Sequence, residues 1–215
     1  IMLVEVRNAS KTIHRECILN SIDFKIRSGE VVGLQGVNGS GKTMIMRMLC
    51  GLIYPTTGEI AFDGKRLGKE IDFPPSVGLL LESPAFLEYE SGAANLELLG
   101  SIKGNVAHDD IERTMLRVGL DPKLRRVYGK YSLGMKQRLG IAAALMERPD
   151  LIVLDEPTNA LDESGVEMLA QIVDEERERG AALLLSSHDG IFLRSICTSV
   201  YTVASGTLVK DGKGC

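Results

Sequence analysis

The chain has 215 residues, of which 44% are hydrophobic, 25% are charged and 5% are aromatic, and it contains no Trp. This is the composition of a folded globular protein, and it excludes a disordered chain. A formal net charge of −4 and a pI near 5.5 disfavour non-specific binding to nucleic acid or to an anionic membrane surface.

The cysteines do not form a binding or cross-linking pattern. Cys17, Cys50, Cys197 and Cys215 are widely spaced and include no C-x-x-C pair. This is typical of a reducing compartment, without a disulfide framework or a zinc site. Cys17 and Cys50 stand among apolar residues, so we expect both in the core. No apolar run approaches the roughly 18 residues that a membrane-spanning helix needs, so work at a membrane would require another chain.

The first third of the chain predicts a β layer followed by a strand and a helix. "LVEVRNAS" and "SIDFKI" alternate apolar and polar residues, as half-buried antiparallel strands do. "VVGLQG" is a continuous apolar run, typical of a strand buried on both faces. A helix is expected from Lys42 to about Leu52. "EIAFDGK" then predicts a strand that enters a turn at Asp63 and Gly64.

The rest of the chain predicts a helical block between two core strands. "VGLLL" (77–81) predicts a buried strand, and apolar residues at helical spacing follow from Glu88 to Glu147. "LIVLD" is again a strand, "ESGVEMLAQIVDEERERG" an amphipathic helix ended by Gly180, and "AALLLSS" a strand. A short helix and the pair of strands in "SVYTVASGTLVKD" follow. The predicted order is an antiparallel β start, a parallel α/β core and a helical insertion.

A phosphate-binding loop is the strongest local signal. "GVNGSGKT" (36–43) matches G-x-x-x-x-G-K-[ST] and stands between a buried strand and a helix, where this motif must stand. Its glycines let the backbone approach a phosphate chain, and the loop amides and helix N-terminus supply positive dipoles. Lys42 is expected to reach the β- and γ-phosphates and Thr43 to place its hydroxyl on Mg²⁺. We therefore predict binding of a nucleoside triphosphate.

Acidic and imidazole groups are predicted at the same edge of the sheet. "LIVLDEP" (151–157) is an apolar strand ending in Asp155 and Glu156, whose side chains point in opposite senses. Asp155 is expected to hold Mg²⁺ and Glu156 to act as general base on the attacking water. His188 in "LLLSSHD" ends another buried strand and can sense the γ-phosphate. The alternatives are a turn-initiating acidic pair and a structural histidine.

Three segments together carry a family resemblance. "GVNGSGKT", "YSLGMKQRLGIAAALMERPDLIVLDEPTNALD" and "SSHD" are similar to the nucleotide-binding subunit of ATP-binding-cassette (ABC) transporters, in order and over essentially the whole chain. The resemblance implies one α/β domain over 1–215. It would have a P-loop NTPase core with a parallel sheet, an N-terminal antiparallel β subdomain and an inserted α-helical subdomain at about 85–147. It implies ATP and Mg²⁺ as cofactors, with nucleotide contacts from Gly36, Asn38, Gly39, Ser40, Gly41, Lys42, Thr43 and Met44.

The resemblance also implies partners. In such ATPases two subunits pack head to tail, so Ser132 and Gly134 of "YSLGM" would contact the ATP held by the other subunit, which is a second copy or a paralogue. Ser132 is an expected helix N-cap whose following amides face an anion. Asp162 falls in the loop that links the two sites. Multi-pass membrane subunits would hold the ATPase at the cytoplasmic face of a bacterial membrane, with no nucleic acid involved.

The chain departs from the family pattern at several positions. Leu133 and Met135 replace a glycine and a glutamine, and Met44 replaces a hydroxyl residue that would contact the α-phosphate. The aromatic that stacks on adenine aligns with Ile13. Stacking on a base contributes about 1–3 kcal/mol, so we expect weaker or less base-selective nucleotide binding.

Glu82 in "VGLLLESPAF" replaces the usual glutamine. We expect it to act as a third metal group beside Thr43 and Asp155; the alternative is an ordinary loop glutamate. Together with "YSLGMKQRLGIA" it resembles the bacitracin-resistance and lantibiotic-immunity exporters.

The sequence therefore predicts an ATPase subunit of a membrane transporter, exporting a peptide antibiotic or a similar amphipathic compound. Glu156, His188 and Lys42 are its expected catalytic residues. One alternative is a non-transport ABC-type ATPase in repair or assembly. Another is an ATP-binding regulatory module with little hydrolysis, against which the intact Asp155, Glu156 and His188 weigh.

Overall fold

The structure, a computed structural model, describes residues 3–82, 85–104 and 106–211. The strands in these ranges are β1 (Leu3–Ile13), β2 (Glu16–Arg27), β3 (Val31–Gln35), β4 (Thr57–Phe62), β5 (Lys65–Arg66), β6 (Val77–Leu80), β7 (Leu151–Leu154), β8 (Ala182–Ser187), β9 (Ser199–Ala204) and β10 (Thr207–Lys210). The α-helices are α1 (Lys42–Leu49), α2 (Gly92–Lys103), α3 (His108–Arg117), α4 (Leu133–Leu145), α5 (Glu163–Glu178) and α6 (Gly190–Ile196), and a 3₁₀ turn covers Tyr128–Lys130.

The strands form two sheets. The first is antiparallel, in the order β2-β1-β4-β5, and the second has the order β10-β9-β3-β8-β7-β6. In the second sheet β6, β7, β8, β3 and β9 run parallel, and β10 pairs antiparallel with β9 at its edge. The predicted α/β fold, with a parallel core and an N-terminal antiparallel layer, is confirmed.

The core lies on both faces of the parallel sheet because its strands alternate between two apolar layers. Leu151 and Val153 of β7 pack toward α1 and the antiparallel sheet. Ile152 and Leu154 of the same strand pack on the opposite face against helices α2 to α6. All four side chains are fully buried, which explains why "LIVL" is apolar throughout rather than alternating.

Helices α2, α3 and α4 lie between β6 and β7, where the helical block is predicted. The side chains of Ser91 and Ser132 cap α2 and α4 by accepting bonds from the N–H groups of Ala94 and Met135, each at 3.2 Å. The predicted N-cap at Ser132 is thus confirmed by geometry. No helix in the described ranges is long and apolar enough to cross a membrane.

Two local expectations are wrong. Helix α1 ends at Leu49 rather than near Leu52, because the chain turns at Gly51, whose φ of 74° is left-handed. Cys50 is buried as expected, but Cys17 is exposed. Cys17 stands beside the turn of the β1–β2 hairpin, where it pairs with Thr12, and the residues of this turn are exposed.

Candidate active site

The carboxyl ends of four parallel strands bring the predicted site together. Gln35 at the end of β3 is in register with Ser187 of β8, and Leu80 of β6 is in register with Leu154 of β7. The phosphate loop, Asp155 and Glu156, and His188 directly follow these strand ends. This edge of a parallel sheet is where ligands of α/β proteins gather.

The phosphate loop has a backbone that only glycine tolerates at key points. Gly39 and Gly41 have φ values of 79° and 115°, in the region that side chains rarely adopt. A Cβ on Gly36 would lie 2.5 Å from the carbonyl oxygen of Val203, whereas a Cβ on Gly39 would enter open space. The open space is a pocket of about 310 Å³, a size typical of ligand sites, lined by Ile18, Asn38, Gly39, Gly41, Lys42, Thr43, Met44, Asp155 and Glu156.

Lys42 provides the buried positive charge of this pocket. Its side chain is 5% exposed, and Nζ donates to the carbonyl oxygens of Gly36 at 2.6 Å and Val37 at 3.2 Å. The same ammonium lies 3.3 Å from Oε1 of Glu156. A buried ammonium held by loop carbonyls and one carboxylate is well placed to exchange those partners for a polyanionic ligand.

Thr43 and Asp155 form the second pair in the pocket. The Thr43 hydroxyl donates to Oδ2 of Asp155 at 2.6 Å, across 112 residues of sequence. The other carboxylate oxygen of Asp155 accepts a hydrogen bond from the hydroxyl of Ser186 in β8. Oxygen atoms of this kind are the ligands that Mg²⁺ prefers, so the pair fits a magnesium ion that is shared with phosphates.

Glu156 occupies the centre of the charged groups. Oε2 lies 3.0 Å from Nδ1 of His188. Because an ionised carboxylate only accepts, Nδ1 must carry the hydrogen in this contact. Within the described residues, buried Oε1 has no hydrogen-bond partner, although the ammonium of Lys42 balances its charge. Glu156 is one of the residues that line the pocket beside the phosphate loop.

The buried hydroxyl of Ser40 in the phosphate loop is also without a hydrogen-bond partner among the described residues. An unpaired buried donor beside the loop amides fits an anionic ligand such as a nucleotide phosphate. The loop, its lysine and the Thr43–Asp155 pair therefore fit ATP with Mg²⁺.

Two predicted site residues lie away from this pocket. Ile13 stands half-buried at the end of β1, and Ile18 of the paired strand β2 lines the pocket instead. Glu82, with a left-handed φ of 60°, forms a 2.5 Å ion pair with Arg47 of α1. Neither Ile13 nor Glu82 belongs to the described pocket lining, and their roles stay predictions.

Ser132 and Gly134 stand at the start of α4, also outside the pocket of their own chain. The hydroxyl of Ser132 caps the helix, and the side chain of the intervening Leu133 is 70% exposed. A Cβ on Gly134 would lie 2.9 Å from the carbonyl oxygen of Ala160. Glycine is thus needed for the close approach of α4 to the loop that follows β7.

Asp162 links that loop to two helices. Its Oδ1 accepts a 2.9 Å bond from the N–H of Gly165 and so caps α5, and it lies 3.2 Å from the guanidinium of Arg138 on α4. The bond from Gly165 and a second from Ser164 lower the pKa of Asp162 below its ordinary value. The carboxylate is therefore charged at neutral pH.

Sequence reasoning missed residues that the structure brings to the site. Gln137 of α4 donates to the carbonyl oxygens of Pro157 at 3.1 Å and Glu156 at 3.4 Å. Ser186 bonds both acidic residues at the end of β7. Both residues stand in segments that carried the resemblance, Gln137 in "YSLGMKQRLG" and Ser186 in "SSHD", but their partners are distant in sequence.

This geometry places the chain in the class of P-loop nucleotide hydrolases. A family model described as "ABC transporter" matches residues 19–159. The chain belongs to the ABC transporter family, as an ATP-binding subunit that hydrolyses ATP to drive transport.

Relatives match over nearly the whole chain. It is 42% identical to the uncharacterized ABC transporter ATP-binding protein YybJ of Bacillus subtilis, over 98% of this chain and 97% of that protein. It is 35% identical to the bacitracin transport ATP-binding protein BcrA of Enterococcus faecalis (97% and 68%). It is 36% identical to the lantibiotic transport ATP-binding protein SrtF of Streptococcus pyogenes (86% and 80%). The resemblance to this branch, stated from the sequence, is confirmed.

Two solved structures of ABC transporter ATPases have the same fold as this chain. An ATP-binding subunit of an ABC transporter superposes with a TM-score of 0.87 at 28% identity, over 98% of this chain and 90% of that one. The dimeric cassette MJ0796 gives the same TM-score at 22% identity over 99% of both chains, which supports the fold alone.

Proposed function

We propose that the chain is the Mg²⁺-dependent ATPase of a peptide-antibiotic exporter, and that it works as a head-to-tail dimer docked on membrane subunits. The observation that carries this proposal is the convergence of Lys42, Thr43, Asp155, Glu156 and His188 at one sheet edge. The domain division proposed with it is a single ATPase domain over 1–215 with a helical subdomain at about 85–147.

Thr43 and Asp155 are the proposed magnesium-holding residues. Mg²⁺ typically takes one or two carboxylates, with waters and substrate phosphates completing its shell. The described ranges hold no group of three or more His, Cys, Asp or Glu side chains arranged for a metal, which suits an ion shared with ATP rather than a cage within the protein. Bound there, Mg²⁺ would neutralise charge on the phosphates.

Glu156 is the proposed general base and His188 its orienting partner. The imidazole of His188 holds Oε2, which leaves buried Oε1 free to take a proton from water. Lys42 is the proposed partner of the terminal phosphates, and its ammonium lies 3.3 Å from Oε1 of Glu156. These groups act within one chain.

Ser132, Gly134 and Asp162 are proposed to act between two chains. The first N–H groups of α4 have no partners within the helix and favour a negative charge. Because Ser132 and Gly134 do not line the pocket of their own chain, a facing copy or paralogue is the natural source of the phosphate that they bind. A related cassette fold has been seen as a dimer.

The proposed cargo and location come from relatives. BcrA and SrtF are named as bacitracin and lantibiotic transport proteins, so a peptide antibiotic is the proposed substrate class. The proposed place is the cytoplasmic face of a bacterial membrane, held there by multi-pass subunits.

Phosphate release by the purified chain tests the proposed chemistry. We expect release from ATP to require Mg²⁺ and to stop when EDTA removes it, because the ion held by Asp155 and Thr43 would neutralise charge on the phosphates. Turnover that persists in EDTA would contradict the proposed metal site.

Glu82→Gln tests the third metal group in the same assay. The ion pair of Glu82 with Arg47 is exposed, with 62% and 39% side-chain exposure, so breaking it costs no more than about 1 kcal/mol. The pair with Arg47 therefore costs little to give up for a metal. We expect Glu82→Gln to raise the Mg²⁺ concentration for half-maximal activity several-fold, with the exposed neighbour variant Glu88→Gln as control. An unchanged Mg²⁺ requirement would exclude a metal role.

Ile13→Tyr tests the missing aromatic contact. If Ile13 occupies the adenine-stacking position, tyrosine there should tighten ATP binding about 5- to 150-fold, the equivalent of about 1–3 kcal/mol of stacking. Competition between ATP and GTP measures base selectivity, and Ile102→Tyr, at a residue 77% exposed on α2, is the control. Low-micromolar ATP binding and strong rejection of GTP by the unaltered chain would contradict the proposal.

A further inference from the structure

We propose that Ser186 is a positioning residue for ATP hydrolysis, whose hydroxyl fixes the side chain of Asp155 and the backbone of Glu156 together. The inference rests on the proposed roles of these two carboxylates. It concerns a residue outside the phosphate loop, to which none of the sequence motifs assigned a role.

Strand register places Ser186 beside the acidic pair. β8 lies between β3 and β7, with Ser186 in register with Leu34 on one side. On the other side Leu185 is in register with Leu154, the last residue of β7. Ser186 therefore stands at the level of Asp155, and its side chain is fully buried.

The hydrogen bonds of the Ser186 hydroxyl have only one consistent direction. Its Oγ accepts from the backbone N–H of Glu156 at 2.8 Å. A hydroxyl has a single hydrogen, and an ionised carboxylate can only accept, so that hydrogen goes to Oδ1 of Asp155. Because Oδ2 of Asp155 accepts from Thr43, both oxygens of this carboxylate are held in place.

The second bond holds a strained residue. Glu156 has a φ of 45°, a left-handed conformation that costs a side-chain-bearing residue free energy and persists only where its surroundings enforce it. Ser186 binds the N–H of Glu156, while the side-chain amide of Gln137 lies 3.4 Å from its carbonyl oxygen. The direction in which the Glu156 side chain leaves the backbone depends on these contacts.

Positioning of this kind affects turnover more than binding. A general base must be held closely to its productive geometry, and a misplacement of about 1 Å can cost about 100-fold in rate. Ser186 does not belong to the pocket lining, so its loss removes no contact with the nucleotide. A merely structural hydroxyl would instead affect stability.

The neighbouring residue offers a matched control. Ser187 is as fully buried as Ser186, and its hydroxyl accepts from the N–H of Asp189 at 3.0 Å rather than bonding either carboxylate. Ser186→Ala and Ser187→Ala thus remove the same group from adjacent buried positions. Ser186→Thr keeps the hydroxyl but adds a methyl group at a fully buried position.

We expect Ser186→Ala to lower kcat about 10- to 100-fold, with KM for ATP unchanged and an ATP-bound dimer that persists longer than that of the unaltered chain. Ser187→Ala should keep the kcat of the unaltered chain, even though its Tm falls by about as much as the Tm of Ser186→Ala. Ser186→Thr should keep more of kcat than Ser186→Ala even where its Tm is lower. Phosphate release, nucleotide titration, sedimentation and thermal melting give these values.

A kcat for Ser186→Ala equal to that of the unaltered chain overturns the inference, as does a kcat that simply follows Tm across the three variants. The Glu156→Gln variant separates this failure from failure of the proposed function. If Glu156→Gln is inactive and Ser186→Ala is fully active, only the role of Ser186 is wrong. If Glu156→Gln is active, the role of the base itself is wrong.

Discussion

Glu156→Gln is expected to bind ATP and to lose hydrolysis by about 10²–10⁴-fold, the contribution typical of a general base. Glutamine has nearly the same shape as glutamate but cannot take a proton from water. The substitution also removes the negative charge 3.3 Å from the ammonium of Lys42, which leaves that ammonium free for phosphate. ATP affinity should therefore be kept or increased.

Phosphate release at saturating ATP and Mg²⁺ measures the loss, and calorimetric titration measures ATP binding. Glu167→Gln, at an exposed position on α5, is the matched control and should hydrolyse ATP normally. Retained turnover by Glu156→Gln would refute its role as base.

Lys42→Ala is expected to abolish useful nucleotide binding. A hydrogen bond to a charged group contributes about 1.5–3 kcal/mol, and each 1.4 kcal/mol is about tenfold in affinity, so the Kd for ATP should rise by about 10- to 100-fold. Loss of the ammonium also leaves the buried carboxylate of Glu156 without its neighbouring cation. That uncompensated charge repels the phosphates and increases the effect.

Calorimetry or competition with a fluorescent nucleotide tests Lys42→Ala, with Lys65→Ala on exposed β5 as control. Because removing one partner of a buried ion pair also lowers stability, thermal melting should accompany the titration. A folded Lys42→Ala variant that binds ATP as tightly as the unaltered chain would contradict the assigned phosphate contact.

The parts predicted from sequence are those encoded in contiguous residues. The phosphate loop has fixed spacing between its glycines and Lys42, and "LIVL" is apolar because β7 is buried on both faces. The same holds for the cap at Ser132, whose bond reaches only three residues along the chain. Residues close together in the chain determine these features, so the sequence alone predicts them.

The parts that were missed depend on strand register and on long-range pairing. Ser186 meets Asp155 across 31 residues because β7 and β8 run parallel in one register. Glu82, two residues after β6, pairs with Arg47 of α1, 35 residues earlier in the chain. Ile18 lines the pocket because of where the β1–β2 hairpin, which carries it, lies in the fold. A motif states which residue types are present but not which distant side chains they meet.

Sedimentation of the Glu156→Gln variant with saturating ATP and Mg²⁺ tests whether two chains share each nucleotide site. Coupling to a membrane subunit depends on this shared site. If the pocket of one chain is covered by the Ser132 end of α4 from another, the variant must sediment as a dimer with ATP and as a monomer without nucleotide. Monomers alone at high protein concentration, with ATP demonstrably bound, would contradict the shared site.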